Sequence, residues 1–381
     1  MVGKETVPIP LTPIEDLAGA LGGAYPELAV VHDVAGGKSV YLVGGAVRDL
    51  LLGQGRTDID LVVEGDATAL ATRLGGEVVE HERFATAKAH LGEHEVDIAT
   101  ARAESYPHPG ALPVVEPTAG IAADLARRDF TINAMAIPLR RDPELIDPHR
   151  GRADLEAGLL RALHARSFED DPTRALRAAR YAARFGFELE HETAELLAEA
   201  DLSTVSVDRR DAELLRLAGE PGSPRGFALL AEWGLMDLRE NGVELAGRVA
   251  SLLAEPPWKE MARRDRAVLA AALGHWGEAE KLAAARPERP SEGVRLARGV
   301  SPIELVLARA MGAEWLDSYI CEWRDVKLQI DGADLIAAGI PQGPDIGRGL
   351  GEALRRKLDG EVSGREQELE VALAKARKED R

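Results

Sequence analysis

Cysteine is almost absent from the 381-residue chain. Cys321 stands alone, so no internal disulfide framework can form, which fits the reducing cytoplasm; the single thiol reads as a small buried hydrophobe. Aromatic residues make up only 4% against 45% apolar residues overall, so the cores must be built from Leu, Ala and Val, which favours helices. No apolar run approaches the roughly 20 residues of a membrane helix. The opening MVGKETVPIPLTPIEDL places acids and prolines where a signal peptide carries its apolar stretch. The expectation is a soluble, unexported protein. Positive charge is also scarce, with 47 Lys and Arg against 65 Asp and Glu. The resulting net charge of −18 argues against indiscriminate nucleic-acid binding and leaves room for one basic groove. Histidines do not cluster. His32-Asp33 is the one His-Asp dipeptide and reads as a turn, which leaves a metal-dependent phosphohydrolase without ligands. Fixed-period repeats and low-complexity tracts are missing as well.

What is present divides near residue 150. Before it, the short β-like runs VYLVGG (40–45), DIDLVVEG (58–65), GEVVEH (76–81), AKAHLG (87–92) and HEVDIAT (94–100) alternate with the helical segments AVRDLLLG and DATALATRLGG. The second of these helices has Asp66 as its N-cap and stops at Gly75-Gly76. SYPHPGALPVVEPTAG (105–120) holds four prolines and reads as an irregular loop. After residue 150 the pattern turns almost wholly helical. The predicted fold class is α+β: an α/β head over 1–150, then a helical neck over 151–218 and a helical body and tail over 219–381.

Within seventeen residues, from Gly44 to Asp60, lie a Gly-Gly turn, the Arg48-Asp49 pair and the run Asp58-Ile59-Asp60. Strand side chains alternate faces, so Asp58 and Asp60 point the same way with Cβ atoms roughly 6.5 to 7 Å apart. Two carboxylates so placed converge on a hard divalent cation, which prefers oxygen ligands and keeps substrate phosphates in its shell. Asp97, on a later strand, is a candidate third carboxylate. The glycines let backbone approach a phosphate, and Arg48, one turn into the next helix, adds a charged fork.

Two further stretches stand out. In LARRDFTINAMAI (125–137), Asn133 follows Asp129 by four residues, a helical spacing that either clamps a ribose or caps a turn, and Arg127-Arg128 reads in isolation as a solvated pair. In FEDDPTRALRAARYAARFGFELE (168–190), Asp170 or Asp171 serves as N-cap before Pro172. Arg174, Arg177 and Arg180 then recur at steps of three, forming a stripe of cations that drifts about 60° per arginine. Leu176 and Tyr181 are candidates for packing beside it.

Gly-Gly, Arg-Asp and D-x-D resemble the signature of the polymerase-β-type nucleotidyltransferases, in the class II branch that holds the CCA-adding enzymes and bacterial poly(A) polymerases. R-R-D-F-T-x-N-A is similar to that family's second motif. D-D-P-x-R is similar to its third, usually E-D-x-x-R, with Asp170 in place of the glutamate. The resemblance implies two-metal transfer of a nucleotide to an RNA 3′-hydroxyl. In it Asp58 and Asp60 hold Mg²⁺, Asp97 completes the catalytic carboxylates, and Gly44, Gly45, Arg48 and Arg128 bind the triphosphate. Asp129 and Asn133 would shape the nucleotide pocket, and Arg177 and Arg180 would bind nucleotide as well. It also places base reading on Asp171 and Arg174. Cytosine and adenine each offer an amine donor beside a ring-nitrogen acceptor, which a carboxylate and a guanidinium satisfy; uracil and guanine invert the pattern.

The implied partners are tRNA, CTP and ATP, and the implied activity is addition of CCA to tRNA, with A-adding, CC-adding and poly(A)-forming relatives as alternatives and a non-catalytic RNA-binding relative behind them. The 66 residues between Asp60 and Arg127 favour CCA or A addition, because CC-specific members are expected to lack part of this interval. The closing KARKEDR lacks the basic extension expected of a poly(A) polymerase. VSVDRRDAELLRL (205–217) resembles the helix closing the neck. The segment 328–360 resembles the tail that grips tRNA, where Arg348, Arg355, Arg356 and Lys357 offer charge for phosphates.

Overall fold

In the computed structural model, two short helices, α1 (Leu17–Ala24) and α2 (Ala29–Val34), lead into β1 (Val40–Val43), whose four side chains are all buried because the strand lies inside a sheet covered on both faces. The structure describes residues 8–54, 58–75, 86–117 and 120–377. After β1 come α3 (Gly45–Leu51), β2 (Ile59–Val63), α4 (Ala67–Arg73), β3 (Thr86–Leu91), β4 (His94–Thr100), β5 (Arg102–Ser105), β6 (Val114–Pro117), α5 (Ile121–Ala126) and β7 (Ala136–Pro138). Five of these strands form one mixed sheet in the order β3-β4-β2-β1-β7, with β2 and β4 parallel and the other neighbours antiparallel.

The face bearing Tyr41, Val43 and Val62 is closed by Ile121 and Leu125 of α5. Asp58 and Asp60 share that face by strand alternation and stay exposed. Asp66 caps α4 as expected, accepting from the Ala69 amide at 3.1 Å. The run 76–81 lies outside the described residues.

Several expectations are corrected. The proline-rich stretch is not wholly irregular: β6 pairs antiparallel with β5, each of its prolines standing outside the strand or at its last residue. His32 and Asp33 lie in α2 rather than in a turn, and the His32 ring meets the Leu139 carbonyl at 3.0 Å. Cys321 is exposed rather than buried. Asp129 to Asn133 is not an α-helix, because Thr131–Asn133 forms a single 3-10 turn.

The chain continues with α6 (Gly151–Ala157), β8 (Leu159–Leu160), α7 (Ser167–Asp170), α8 (Thr173–Phe185), β9 (Glu188–Leu189), α9 (His191–Ala198), α10 (Val207–Gly219) and α11 (Ser223–Glu232). The helix expected to start at Asp170 or Asp171 is α8, and the short α7 precedes it, with Asp171 between the two in an extended conformation. An aromatic knot ties these helices to the sheet domain in a chain with few aromatics. Phe130 is fully buried, 6.4 Å from Phe168 and edge-on to Tyr181 at 5.9 Å, and Tyr181 stacks on Phe185 at 6.2 Å. Such pairs contribute about 0.5–1.5 kcal/mol each beyond their burial.

Contacts divide the chain into two units, Met1–Asp237 and Leu238–Arg381. The second is helical: α12 (Gly242–Leu252), α13 (Arg264–Leu273), α14 (Gly277–Ala284), α15 (Pro290–Ala297), α16 (Pro302–Ala310), α17 (Trp315–Ser318), α18 (Gly332–Ala337), α19 (Pro344–Leu358) and α20 (Arg365–Ala376). Its last three helices share an apolar core of Ile330, Leu335, Ile340, Ala353 and Ala372. Among the described residues no helix is long and apolar enough to cross a membrane.

The tail cations expected to meet phosphates are compensated inside this unit. Arg348 pairs with Asp345, Arg355 with Glu352 at 2.8 Å and Asp359 at 3.1 Å, Arg356 with Glu352 at 2.9 Å, and Lys357 with the buried Glu368 at 2.6 Å. For the arginines the reason is local, since their acids stand at i,i+3 and i,i+4 spacings, whereas Lys357 reaches Glu368 from α19 to α20.

Candidate active site

β1 delivers the chain to Gly44, where φ is 69° and ψ −133°, a conformation that only glycine adopts readily. A β-carbon on Gly44 would stand 2.9 Å from an Arg128 Nη1 and 3.9 Å from an Asp60 Oδ2. The bare backbone is therefore what lets the Gly-Gly turn, the D-x-D strand and the arginine of the second motif meet. Gly45 opens α3, and Gly44, Gly45, Asp58, Asp60 and Arg128 line one open cleft of about 640 Å³.

Asp60 borders this cleft, open to solvent on that side yet walled by protein on the others, and the resulting desolvation pushes its carboxyl up to about 6, while Arg128 works against the rise and Asp97 and Asp58 add to it. Asp97 stands in register beside Asp60 on the parallel neighbour β4, but its side chain is half-exposed and 3.6 Å from Lys88 Nζ. It lines a smaller adjoining pocket, shared with Asp60, Arg127 and Arg128, rather than the main cleft. Three carboxylates do not form a ready cluster among the described residues.

Arg127 and Arg128 are not a solvated pair. Asp124, fully buried on α5, accepts from Arg127 at 2.7 and 3.0 Å with one oxygen and from Arg128 at 2.8 and 3.3 Å with the other. Arg127 also reaches Glu104 at 2.9 Å, and Glu104 holds Tyr106, whose hydroxyl is pushed up to about 12 chiefly by burial.

Asn133 does reach Asp129, at 3.0 Å, across the 3-10 turn. Asp129 is buried and also takes the Phe130 amide at 2.8 Å and Arg177 at 2.7 Å. Burial opposes its ionisation, but Arg177 foremost, and Asn133 with it, hold the carboxyl well below the usual range. Arg177 answers in kind: it is desolvated, yet Asp129 keeps it charged. Arg48 departs from the free anion-binding fork that was expected. It is buried, donating to Asp49 at 2.7 Å and Asn133 at 2.5 Å, with its guanidinium 4.6 Å from the Phe185 ring. Arg48 therefore holds Asn133 in place, although it still lines the cleft.

The far wall of the cleft is α8. Arg174 is buried, donating to Ser167 at 2.8 Å and to the Arg127 carbonyl at 2.8 Å, so the second and third motifs are joined directly. Asp171 caps α8 by accepting from Thr173 N and Oγ1 at 3.1 and 2.6 Å, and it accepts from Arg209 of α10 at 2.8 Å. All three bonds fall on Oδ1, and among the described residues Oδ2 accepts none. Arg177 and Arg180 also line the cleft, and Arg180 is shared between Glu220 at 3.4 Å and the Tyr181 ring at 4.6 Å. Sequence reasoning did not name Glu104, Tyr106, Arg184 or Arg209. Arg209 lies in a segment already noted, but which of two adjacent arginines faces Asp171 depends on helix phase.

Residues 40–161 match the poly(A) polymerase head domain family. An A-adding tRNA nucleotidyltransferase of Halalkalibacterium halodurans is 46% identical over 51% of this chain and 48% of its own length. This chain thus spans about half the length of several of the curated relatives it matches. A CC-adding tRNA nucleotidyltransferase of Deinococcus radiodurans is 35% identical over 86% of this chain and 87% of its own. The solved structure of a Thermotoga maritima CCA-adding enzyme complexed with tRNA superposes with a TM-score of 0.73 at 31% identity, covering 96% of this chain and 98% of that one.

Proposed function

Because the chain belongs to the class II tRNA nucleotidyltransferase family, we propose that it completes tRNA 3′ ends, adding C, C and A from CTP and ATP without a nucleic-acid template and releasing pyrophosphate. One observation carries the reading. A single cleft is lined by Asp58, Asp60 and Arg128 and also by Asp171 and Arg174, the parts that a nucleotide needs for its phosphates and its base.

The carboxylates fit a divalent cation. Asp58 and Asp60 stand on one strand face, and crowding by Asp58 and Asp97 contributes to the raised Asp60 pKa, a repulsion that a cation would relieve. Two carboxylates completed by substrate phosphates suit Mg²⁺. Bound there, Mg²⁺ would promote ionisation of the attacking 3′-hydroxyl and stabilise the leaving pyrophosphate. Arg128 and the Gly44-Gly45 backbone face the triphosphate. For the base, Oδ2 of Asp171 accepts the exocyclic amine of C or A, and Arg174 donates to the ring nitrogen beside it. Asp129 and Asn133 line the same cleft and shape the nucleotide pocket.

The test offers single nucleotides to two tRNA substrates, one ending at the discriminator base and one ending in CC. CTP alone is expected to extend the first by two residues, and ATP alone the second by one. A specific observation favours a second reading, A addition only, since an A-adding relative reaches 46% identity. Extension of the CC-ended substrate with no use of CTP on the other would select that reading.

A further inference from the structure

The arginine that meets the triphosphate is itself aimed. Asp124 sits at the end of α5, three and four residues before Arg127 and Arg128, a spacing that puts all three on one side of the helix end. It is fully buried and does not line the cleft, so it cannot touch a substrate. Its two oxygens are divided, Oδ1 to Arg127 and Oδ2 to Arg128, each through two N–H groups of one guanidinium. Burial opposes its charge, and Arg128 and Arg127 more than offset that, keeping the carboxyl below its usual range.

The two arginines lead to different places. Arg128 turns toward Gly44 and Asp60. Arg127 is anchored a second time by Glu104, and its backbone carbonyl holds Arg174. Among the described residues Arg128 makes no second side-chain hydrogen bond of this kind, so its direction depends on Asp124. A guanidinium held as a planar fork loses less freedom when it meets a phosphate than one that must be ordered at each binding event.

We propose that Asp124 is a positioning residue for nucleotidyl transfer: it pre-aims Arg128 across Gly44 toward the Asp60 end of the cleft, where the triphosphate binds. The inference rests on the nucleotidyltransferase reading of that cleft. Asp124→Asn keeps the shape but turns one acceptor oxygen into a donor that faces a guanidinium.

The experiment measures CTP affinity by calorimetry with Mg²⁺ present, steady-state CMP incorporation into tRNA ending at the discriminator base, and the melting temperature. These are compared for the full-length chain, D124N, D124E, R128A and the D124N/R128A double variant. D124N is expected to weaken CTP binding and raise the KM for CTP by roughly tenfold, with preference for CTP over UTP retained because Glu104 still anchors Arg127. In the R128A background D124N is expected to add no more than about twofold, since its route to the substrate is already gone. D124E keeps the charge but moves it by one methylene, and a smaller KM rise is expected; it also serves if D124N loses its melting transition. Unchanged CTP binding and KM in the folded variants would overturn the proposal, as would a D124N loss that repeats in full on top of R128A. If the unaltered chain binds CTP but transfers nothing to tRNA, the tRNA reading falls alone, and the binding data still decide the role of Asp124. If it binds no CTP, both fall.

Discussion

Asp60→Ala is expected to reduce CMP incorporation by roughly a thousandfold, with tRNA binding changed by less than about twofold. Asp60 in β2 and Asp58 just before it are exposed, and the strand is held by backbone pairing with β1 and β4, so neither carboxylate is needed to hold it. The Asp60 carboxyl is raised to about 6 by burial first and by its carboxylate neighbours after the opposing Arg128. Removing it therefore relieves a folded-state cost, and the melting temperature should hold or rise. Asp58→Ala is expected to lose CMP incorporation in the same way while keeping tRNA binding. The measurement is a primer-extension assay beside a filter-binding titration with the same tRNA. Loss of tRNA binding in parallel with activity would assign these residues a structural role instead.

Asp171→Asn is expected to relax base choice. The Oδ1 position already serves Thr173 and Arg209, which leaves Oδ2 to meet the base. An amide in this place presents a donor to the carbonyl of uracil and repairs one of its two mispairings, while Arg174 still meets the ring N–H wrongly. An unpaired buried polar group costs about 1–3 kcal/mol, so preference for CTP over UTP should fall by roughly ten- to a hundredfold without vanishing. Competition between the two nucleotides in one reaction reads this ratio directly. Preserved preference with a uniform loss of rate would mean that Asp171 only caps α8.

Much of the sheet domain was legible because its strands are short apolar runs bounded by glycine and acid, and because Asp66 caps α4 as its type predicts. The β5–β6 hairpin was hidden by prolines that stand at or beyond its strand ends. The start of α8 was legible in Asp171 and Pro172, whereas the four-residue α7 just before it was not, because one turn carries too little apolar periodicity to read. For the site, the residue types in the three motifs were informative and their partners were not. Arg48 is spent on Asn133 and Asp49, Arg177 on Asp129, and the tail cations on neighbouring acids. For the site arginines the pairings join residues far apart in sequence, Arg48 with Asn133 and Arg177 with Asp129, so packing decides them and no local pattern encodes them.

The central claim, that one protein cleft both transfers the nucleotide and chooses it, is tested most directly by supplying all four nucleotides at equal concentration, with Mg²⁺, to tRNA ending at the discriminator base and sequencing the product. The expected product is extended by CCA and no further. Unextended tRNA, or a tail containing U or G, would contradict it.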